Sequence, residues 1–388
     1  MKISIIGAGI AGLSSAILLK KEGFEVEVYE QNSSVSNSGA GIVCWPNASF
    51  VLDKMGLLKK VSKVSGKIIS MKRLNKQNEI FVTMNIDKLN DIMNYPSLSV
   101  FRKDLMLILL EKCRDIQVPI FFNHKLTSIK HIDAKEAMLK FNDEKIIYSN
   151  LILGADGRMN SKVRKYVLGN NKPIYQGFIN WVGIVKSENE LFSQLEVLDY
   201  WGDNKRFGIV PINSKTAYWA AGCSSKTIEK IEKNIYKKEL LSLFSSWPAT
   251  IQNVIFQSDI EEIHKIYIHD HHPLETWHKN NVLLIGDCVH AALPTTGQGA
   301  CQALEDAWQL LKSLQMYGEN TQKVYEYFTN RRKKKTAMIT HQGRSLAKEI
   351  FFDEYTLVNK TDNFNPSSID VVSLSNFWSK GLFINISS

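Results

Sequence analysis

The stretch from Ile3 to Glu30 constrains this chain more than any other. An apolar run, Ile3 to Ile6, is followed by Gly7, Gly9 and Gly12, then by a helical pattern from Leu13 to Lys21 that stops at Gly23. A second short strand pattern, Glu25 to Glu30, ends on a carboxylate. Each residue type has a physical reason. Gly7 permits a tight turn out of a buried parallel strand. Gly9 lets the backbone approach a pyrophosphate at a helix N-terminus, and Gly12 allows the helix to pack closely on the strand. Glu30 is placed to accept hydrogen bonds from an adenosine ribose. A glycine-rich turn alone recurs by chance, but strand, glycines, helix, strand and terminal acid in register point to dinucleotide binding.

At 388 residues the chain can hold two domains, or one interleaved pair, each with its own core. The formal charge of +9 raises the question of nucleic acid. Lys is scattered, however, and the one basic block, Arg331 to Lys335, lies in a helical pattern and reads as a solvated face. The charge therefore favours anionic substrates or cofactors by steering, with no nucleic-acid partner expected. Five cysteines without Cys-x-x-Cys spacing indicate neither a disulfide framework nor a metal site. The chain starts directly in a core strand, which leaves no room for a signal peptide, and no apolar run approaches the ~18 residues that span a bilayer. A cytoplasmic protein, monomer or homodimer, is the expectation.

Further along, Gly39-Ala-Gly41-Ile-Val-Cys-Trp-Pro-Asn47 places small residues beside an aromatic and a proline, as suits a backbone lying against a planar ligand. Ala48 to Met55 is helical up to Gly56, Lys67 to Met93 predicts short strands, and Lys103 to Cys113 a helix. Val118 to Ser149 reads as hairpins, and Leu151 to Gly154 as a buried strand running into Asp156-Gly157. Tyr175 to Gln257 predicts an antiparallel sheet with one helical insertion near 227–246. Asn281 to Asp287 is a last parallel strand, followed by helices from Gly299 to Met316 and from Glu319 to about Phe351. The last thirty residues have no clear pattern. The chain thus leaves and re-enters one parallel fold.

The second informative stretch is Gly286-Asp287-Cys-Val-His290-Ala-Ala-Leu-Pro294-Thr-Thr-Gly297-Gln298-Gly299. An Asp at the end of a buried strand can bind a polyhydroxyl chain. Pro294 and Gly-Gln-Gly bring a helix N-terminus towards a planar ring, where free N–H groups stabilise negative charge. His290 reads as packing behind this turn. His264, His269, His271, His272 and His278 cluster without the helical spacing of a metal site and read as a turn before Pro273.

Together, Gly7-x-Gly9-x-x-Gly12, Asp156-Gly157 and Gly286-Asp287…Pro294…Gly297-Gln298-Gly299 resemble the three fingerprints of single-component FAD-dependent aromatic hydroxylases, the class A flavoprotein monooxygenases. The resemblance covers about residues 1–345. It implies an α/β chain: a Rossmann-like FAD-binding domain with a parallel sheet (1–69, 100–170 and 275–318), interleaved with a mixed or antiparallel β-sheet substrate domain (70–99 and 171–274), and a C-terminal helical segment and tail (319–388). It also implies that Glu30 contacts ribose, Arg102 the pyrophosphate side of FAD, and Asp287 the ribityl chain, while Asp156-Gly157 serves both FAD and a transient NADPH or NADH. The implied chemistry is reduction of FAD, addition of O2 at flavin C4a as a hydroperoxide, and oxygen transfer to a small aromatic or heteroaromatic substrate. The Asp156-to-Ser161 spacing is one residue longer than the family pattern, which leaves Arg164 open as a surface residue or a ligand contact.

Within the family, Gly39 to Asn47, Gly177-Phe-Ile-Asn-Trp181-Val-Gly, Lys205-Arg206…Tyr218 and Ile268-His-Asp270-His-His-Pro273 are similar to bacterial FAD-dependent urate hydroxylases. That similarity implies Arg206 and Tyr218 as pocket residues, Arg206 gripping an anionic heterocycle through a forked pair of hydrogen bonds. Where those enzymes carry an acid after the proline, this chain has Thr295. A tetracycline-type antibiotic hydroxylase, a ring-epoxidising or quinone-biosynthetic relative, and a flavin-binding protein without oxygenase activity are the alternatives.

Overall fold

In the computed structural model, the described residues are 1–35, 39–169, 171–229, 231–352, 367–382 and 384. Lys2–Ile6 is a central strand of a six-stranded sheet, flanked in parallel by Glu25–Tyr29 on one side and Leu151–Gly154 on the other. Val282–Leu284 and Ile120–Phe121 continue the sheet in parallel, and His278–Lys279 closes one edge antiparallel. Strands buried on both faces need apolar side chains throughout rather than alternation. Ile3, Ile5, Leu151, Leu153, Val282 and Leu283 accordingly have no solvent exposure. The helix Ile10–Lys21 packs between this sheet and the helices Gly299–Tyr317 and Arg102–Asp115.

The second large sheet has eight strands, in the order His264–Asp270, Ile174–Lys186, Thr216–Ser224, Lys205–Asn213, Glu196–Gly202, Ser70–Leu74, Ile80–Asn85 and Ser367–Ser368. It is mostly antiparallel, with parallel pairings between Glu196–Gly202 and Ser70–Leu74 and at the Ser367–Ser368 edge. One face carries Trp181, Phe207, Trp219 and Ala221 into a core shared with the helices Tyr236–Leu243 and Ala249–Gln257. Alternation along the strands turns Tyr218, Ala220 and Gly222, with their partners Val210, Gly208 and Arg206, to the other face. A small sheet of Gly41–Cys44, Leu98–Phe101 and Gly66–Lys67 bridges the two large ones, where the Ser99 hydroxyl donates to the carbonyl of Pro211. The fold is therefore a parallel-sheet α/β unit interleaved with a mixed sheet and followed by a helical C-terminal segment.

Local structure departs from the sequence pattern in three places. Ile86–Met93 is a helix rather than strand, capped by Asn85, whose side chain accepts from the Lys88 N–H, and ended by left-handed Asn94. The helical insertion starts only at Tyr236, and Pro248 separates it from a second helix, Ala249–Gln257. In the final segment, Asp370 caps a helix, Val371–Ser379.

Candidate active site

The three N-terminal glycines do different work. Gly7 leaves its strand at φ +109°, and a Cβ there would lie 2.3 Å from the Ala155 carbonyl oxygen. A Cβ on Gly12 would lie 2.0 Å from the carbonyl oxygen of Gly7. Gly9 has an ordinary φ of −79°, and a Cβ on it would meet nothing within 4 Å. Two glycines thus serve the fold, and the third opens onto space at a helix N-terminus whose N–H groups lack intrahelical partners. Glu30 Oε2 accepts from the Ala8 N–H at 2.9 Å, and its Oε1 accepts from the Asn32 backbone at 2.9 Å and side chain at 2.7 Å. The acid at the end of the second strand therefore braces the glycine turn as well as lining its rim.

Asp156 points inward. The hydroxyl of Ser161, the N–H groups of Lys162 and Val163 and the thiol of Cys288 all donate to its carboxylate. Burial nevertheless pushes its carboxyl above the ordinary range. Gly157, left-handed at φ +79°, remains open, with nothing near its Cβ position. Arg164 is not a surface residue: it is 2% exposed and its guanidinium donates to the carbonyl of Cys288 and the side chain of Asn171. Ser161 is the N-cap of Lys162–Leu168, and its side chain accepts from the Arg164 N–H. Arg158 instead reaches Asp287, with Nη1 3.6 Å from Oδ2. Burial disfavours the charge on Arg102, and Asp287 partly restores it, so the two share one electrostatic environment. Arg102 also lies against Gly39, where a Cβ would be 3.1 Å from its Cδ. His271 braces this corner, its ring nitrogens 3.1 Å from Asn171 Oδ1 and 2.9 Å from the Arg158 carbonyl. No group of three or more His, Cys, Asp or Glu among the described residues could hold a metal ion.

Pro294–Thr296 forms a single 3₁₀ turn, Gly297 follows at φ +62°, and the helix Gly299–Tyr317 begins after Gln298. Trp45 Nε1 lies 3.2 Å from where a Gly297 Cβ would be. Three buried polar atoms in this region have no hydrogen-bond partner: Trp45 Nε1, Asn47 Oδ1 and Gln298 Nε2. An unpaired buried polar atom costs about 1–3 kcal/mol. Two donors and an acceptor gathered at a helix N-terminus fit the edge of a flavin ring, which offers both. Thr295 does not face this space; its hydroxyl donates to the Gly343 carbonyl at 2.9 Å.

Across from the turn, the Tyr218 ring lies on Gly41, where a Cβ would fall 2.0 Å from Tyr218 Cδ1. Burial first, then Cys44 and Cys301, push the Tyr218 hydroxyl well above its ordinary range, so it stays a neutral phenol. Arg206 does not offer the expected fork. Its Nε and Nη2 already bind the buried Asp199, at 2.6 and 3.2 Å, with Nη1 outside that pair. Arg73 approaches the same carboxylate at 3.7 Å and stacks on Trp201. On this face Gly208 and Ala220 lie between Tyr218 and Arg206, which are about 13 Å apart along the strands, while the side chains of Asn180 and Phe351 cover Gly222, 2.6 and 2.8 Å from where its Cβ would be.

Behind the turn lies a feature the sequence reading missed. Arg332 and Lys335, expected on a solvated face, turn into the core and meet Glu305 and Asp306. His290 Nε2 joins Asp306 at 2.6 Å.

A model of the family described as FAD binding domain matches residues 1–342. An FAD-dependent urate hydroxylase of Mycolicibacterium vanbaalenii is 27% identical over 349 residues, covering 89% of this chain and 87% of the relative. A 6-hydroxynicotinate 3-monooxygenase of Pseudomonas fluorescens is 26% identical over 359 residues, covering 88% and 91%. The structure of Klebsiella pneumoniae HpxO complexed with FAD and uric acid superposes with a TM-score of 0.84 at 24% identity, covering 91% of this chain and 90% of that one. With the glycine turn, the Asp287 corner and the Gly297 turn arranged in this way, the chain belongs to the FAD binding domain family, among the single-component FAD-dependent aromatic hydroxylases.

Proposed function

We propose that the chain uses NADPH or NADH and O2 to hydroxylate a small, electron-rich, anionic heteroaromatic ring. The observation that carries this reading is the placement of Tyr218 and Arg206 on one face of the mixed sheet, separated by Gly208 and Ala220, with the Tyr218 ring against Gly41. When bound, FAD supplies the redox chemistry, taking hydride from the nicotinamide and delivering one atom of O2 to the ring. The protein's part is binding, orientation and exclusion of water. Gly9 and Glu30 hold the adenosine diphosphate end, and Arg102, Arg158 and Asp287 the middle. Trp45, Asn47 and Gln298 satisfy the ring edge. Gly157 and Arg158 also serve the nicotinamide, with Asp156 anchoring their turn from inside.

Tyr218, kept neutral by burial, donates its proton in a hydrogen bond to an oxygen of the substrate. Arg206 Nη1 offsets the ring's negative charge, and Asp199 fixes the guanidinium. Urate and 6-hydroxynicotinate, acted on by relatives, are oxygen-rich nitrogen heterocycles of this kind. Adding such rings is expected to stimulate NAD(P)H oxidation and yield hydroxylated product in equal amount. Oxidation that yields only hydrogen peroxide with every ring, tetracyclines included, contradicts the reading. Tyr218→Phe is expected to lower kcat/KM roughly 10- to 100-fold through loss of a hydrogen bond to a charged oxygen, with FAD affinity retained. Unchanged hydroxylation by that variant removes Tyr218 from the site.

A further inference from the structure

The buried ionic network behind the Gly297 turn takes part in no step above. Glu305 and Asp306 are 0% exposed, Arg332 3% and Lys335 4%. Burying each ion costs several kcal/mol before pairing, so such a network is retained only where its geometry is well satisfied. What its two ends hold is therefore informative.

At one end, Glu305 Oε1 accepts from Asn47 Nδ2 at 2.7 Å and from Gln302 Nε2 at 3.0 Å. Gln302 Nε2 and Asn47 Nδ2 also donate to Gln298 Oε1, each at 3.0 Å. One half of each amide, Asn47 and Gln298, is thereby tied into the network. The other halves, Asn47 Oδ1 and Gln298 Nε2, are the unpartnered acceptor and donor at the flavin turn. At the other end, Lys335 Nζ donates to both oxygens of Glu305 at 2.9 Å. It also donates to the carbonyls of Trp378 at 2.7 Å and Lys380 at 3.3 Å, where the helix Val371–Ser379 ends. A cation at a helix C-terminus is favourable on both hydrogen-bonding and dipole grounds. A second contact runs in parallel: the Trp378 ring lies 5.1 Å from that of Trp45, whose Nε1 is the third unpartnered atom.

We propose that Lys335 and Glu305 are positioning residues for the flavin ring, coupling the docking of the C-terminal helix to flavin binding through Asn47, Gln298 and Trp45. The inference rests on the flavin reading above. Coupling of this kind is reciprocal: if the docked helix fixes the amides that bind flavin, bound flavin must hold the helix down by the same factor.

The test is amide hydrogen exchange on the full chain with and without FAD, together with FAD titration of variants. In the wild type, FAD is expected to slow exchange of residues 371–379 by about tenfold, alongside protection of residues 7–12. Lys335→Met is expected to weaken FAD binding about tenfold and to abolish FAD-dependent protection of 371–379, with recovery in Lys335→Arg. Should Lys335→Met fail to fold, Trp378→Leu leaves the ionic network in place and is expected to weaken FAD binding through Trp45. Protection of residues 7–12 with none at 371–379 overturns the coupling while leaving the flavin reading intact. Unaltered FAD affinity in the folded variants overturns it as well. Absence of FAD binding to the wild type overturns the flavin reading itself, and the coupling with it.

Discussion

Gly9→Val is expected to leave the ligand-free fold intact and to remove FAD binding. The backbone at Gly9 is in a region any residue adopts, at φ −79° and ψ −174°, and a Cβ there touches no protein atom within 4 Å. Nothing in the folded chain therefore needs glycine at this position. A ligand does: a diphosphate seated on the helix N-terminus has to approach the backbone to hydrogen-bonding distance, and a branched side chain occupies that space. The expected loss is about a thousandfold in Kd, about 4 kcal/mol, with a melting temperature near that of the ligand-free wild type. Gly7→Ala and Gly12→Ala are expected to behave oppositely. Their side chains would strike the carbonyls of Ala155 and Gly7 at 2.3 and 2.0 Å, so both should destabilise the protein even without ligand. Thermal melts and FAD titrations of the three variants separate the two roles. A Gly9→Val protein that binds FAD normally would remove the N-terminal turn from the ligand site.

The second large effect is on stability. Arg332→Met leaves Glu305 and Asp306 buried with fewer compensating charges, and breaking a buried pair from one side costs about 3–5 kcal/mol. The exposed neighbour Lys334→Met, on the same helix, is expected to stay within about 0.5 kcal/mol. Denaturant titration of the two variants checks the contrast; equal midpoints would mean the network contributes nothing. The pH dependence has a definite sign. Burial alone would raise both carboxyls, but Lys335 and then Arg332 bring Glu305 below its ordinary range, and His290 and Arg332 do the same for Asp306. A depressed folded value means the stabilisation is complete above the unfolded carboxylate pKa of about 4 and is lost as pH falls through the folded values. The network's contribution should therefore be lost only below about pH 4, and Arg332→Met should move acid unfolding upward.

What was legible in the sequence was whatever a local pattern could specify. The parallel strands stood out because burial on both faces makes them unbroken apolar runs. The glycine turn and Asp287 stood out because strand ends and helix starts have their own residue chemistry. Arg164 was not legible, because the Cys288 carbonyl that its guanidinium binds lies 124 residues away in the chain. Arg206 was assigned a fork without Asp199, since its partner lies on the neighbouring strand. The inward turn of Arg332 and Lys335 left a trace that composition hid. The stripe Tyr325, Phe328, Arg332, Lys335, Ile339 runs at helical spacing along the buried face of Thr321–Phe351, so two cations stand where apolar residues are the rule. Charged residues on a core stripe imply buried counter-charges elsewhere, and Glu305-Asp306 was the pair available.

Diffraction from crystals of the full chain soaked with FAD is the most direct measurement of whether one ligand channel joins the glycine turn, the Asp287 corner and the Gly297 turn. The expected density places the diphosphate over Gly9, the ribityl chain against Asp287, and the ring edge on Trp45, Asn47 and Gln298. Flavin density remote from Asp287, or none at saturating FAD, contradicts it.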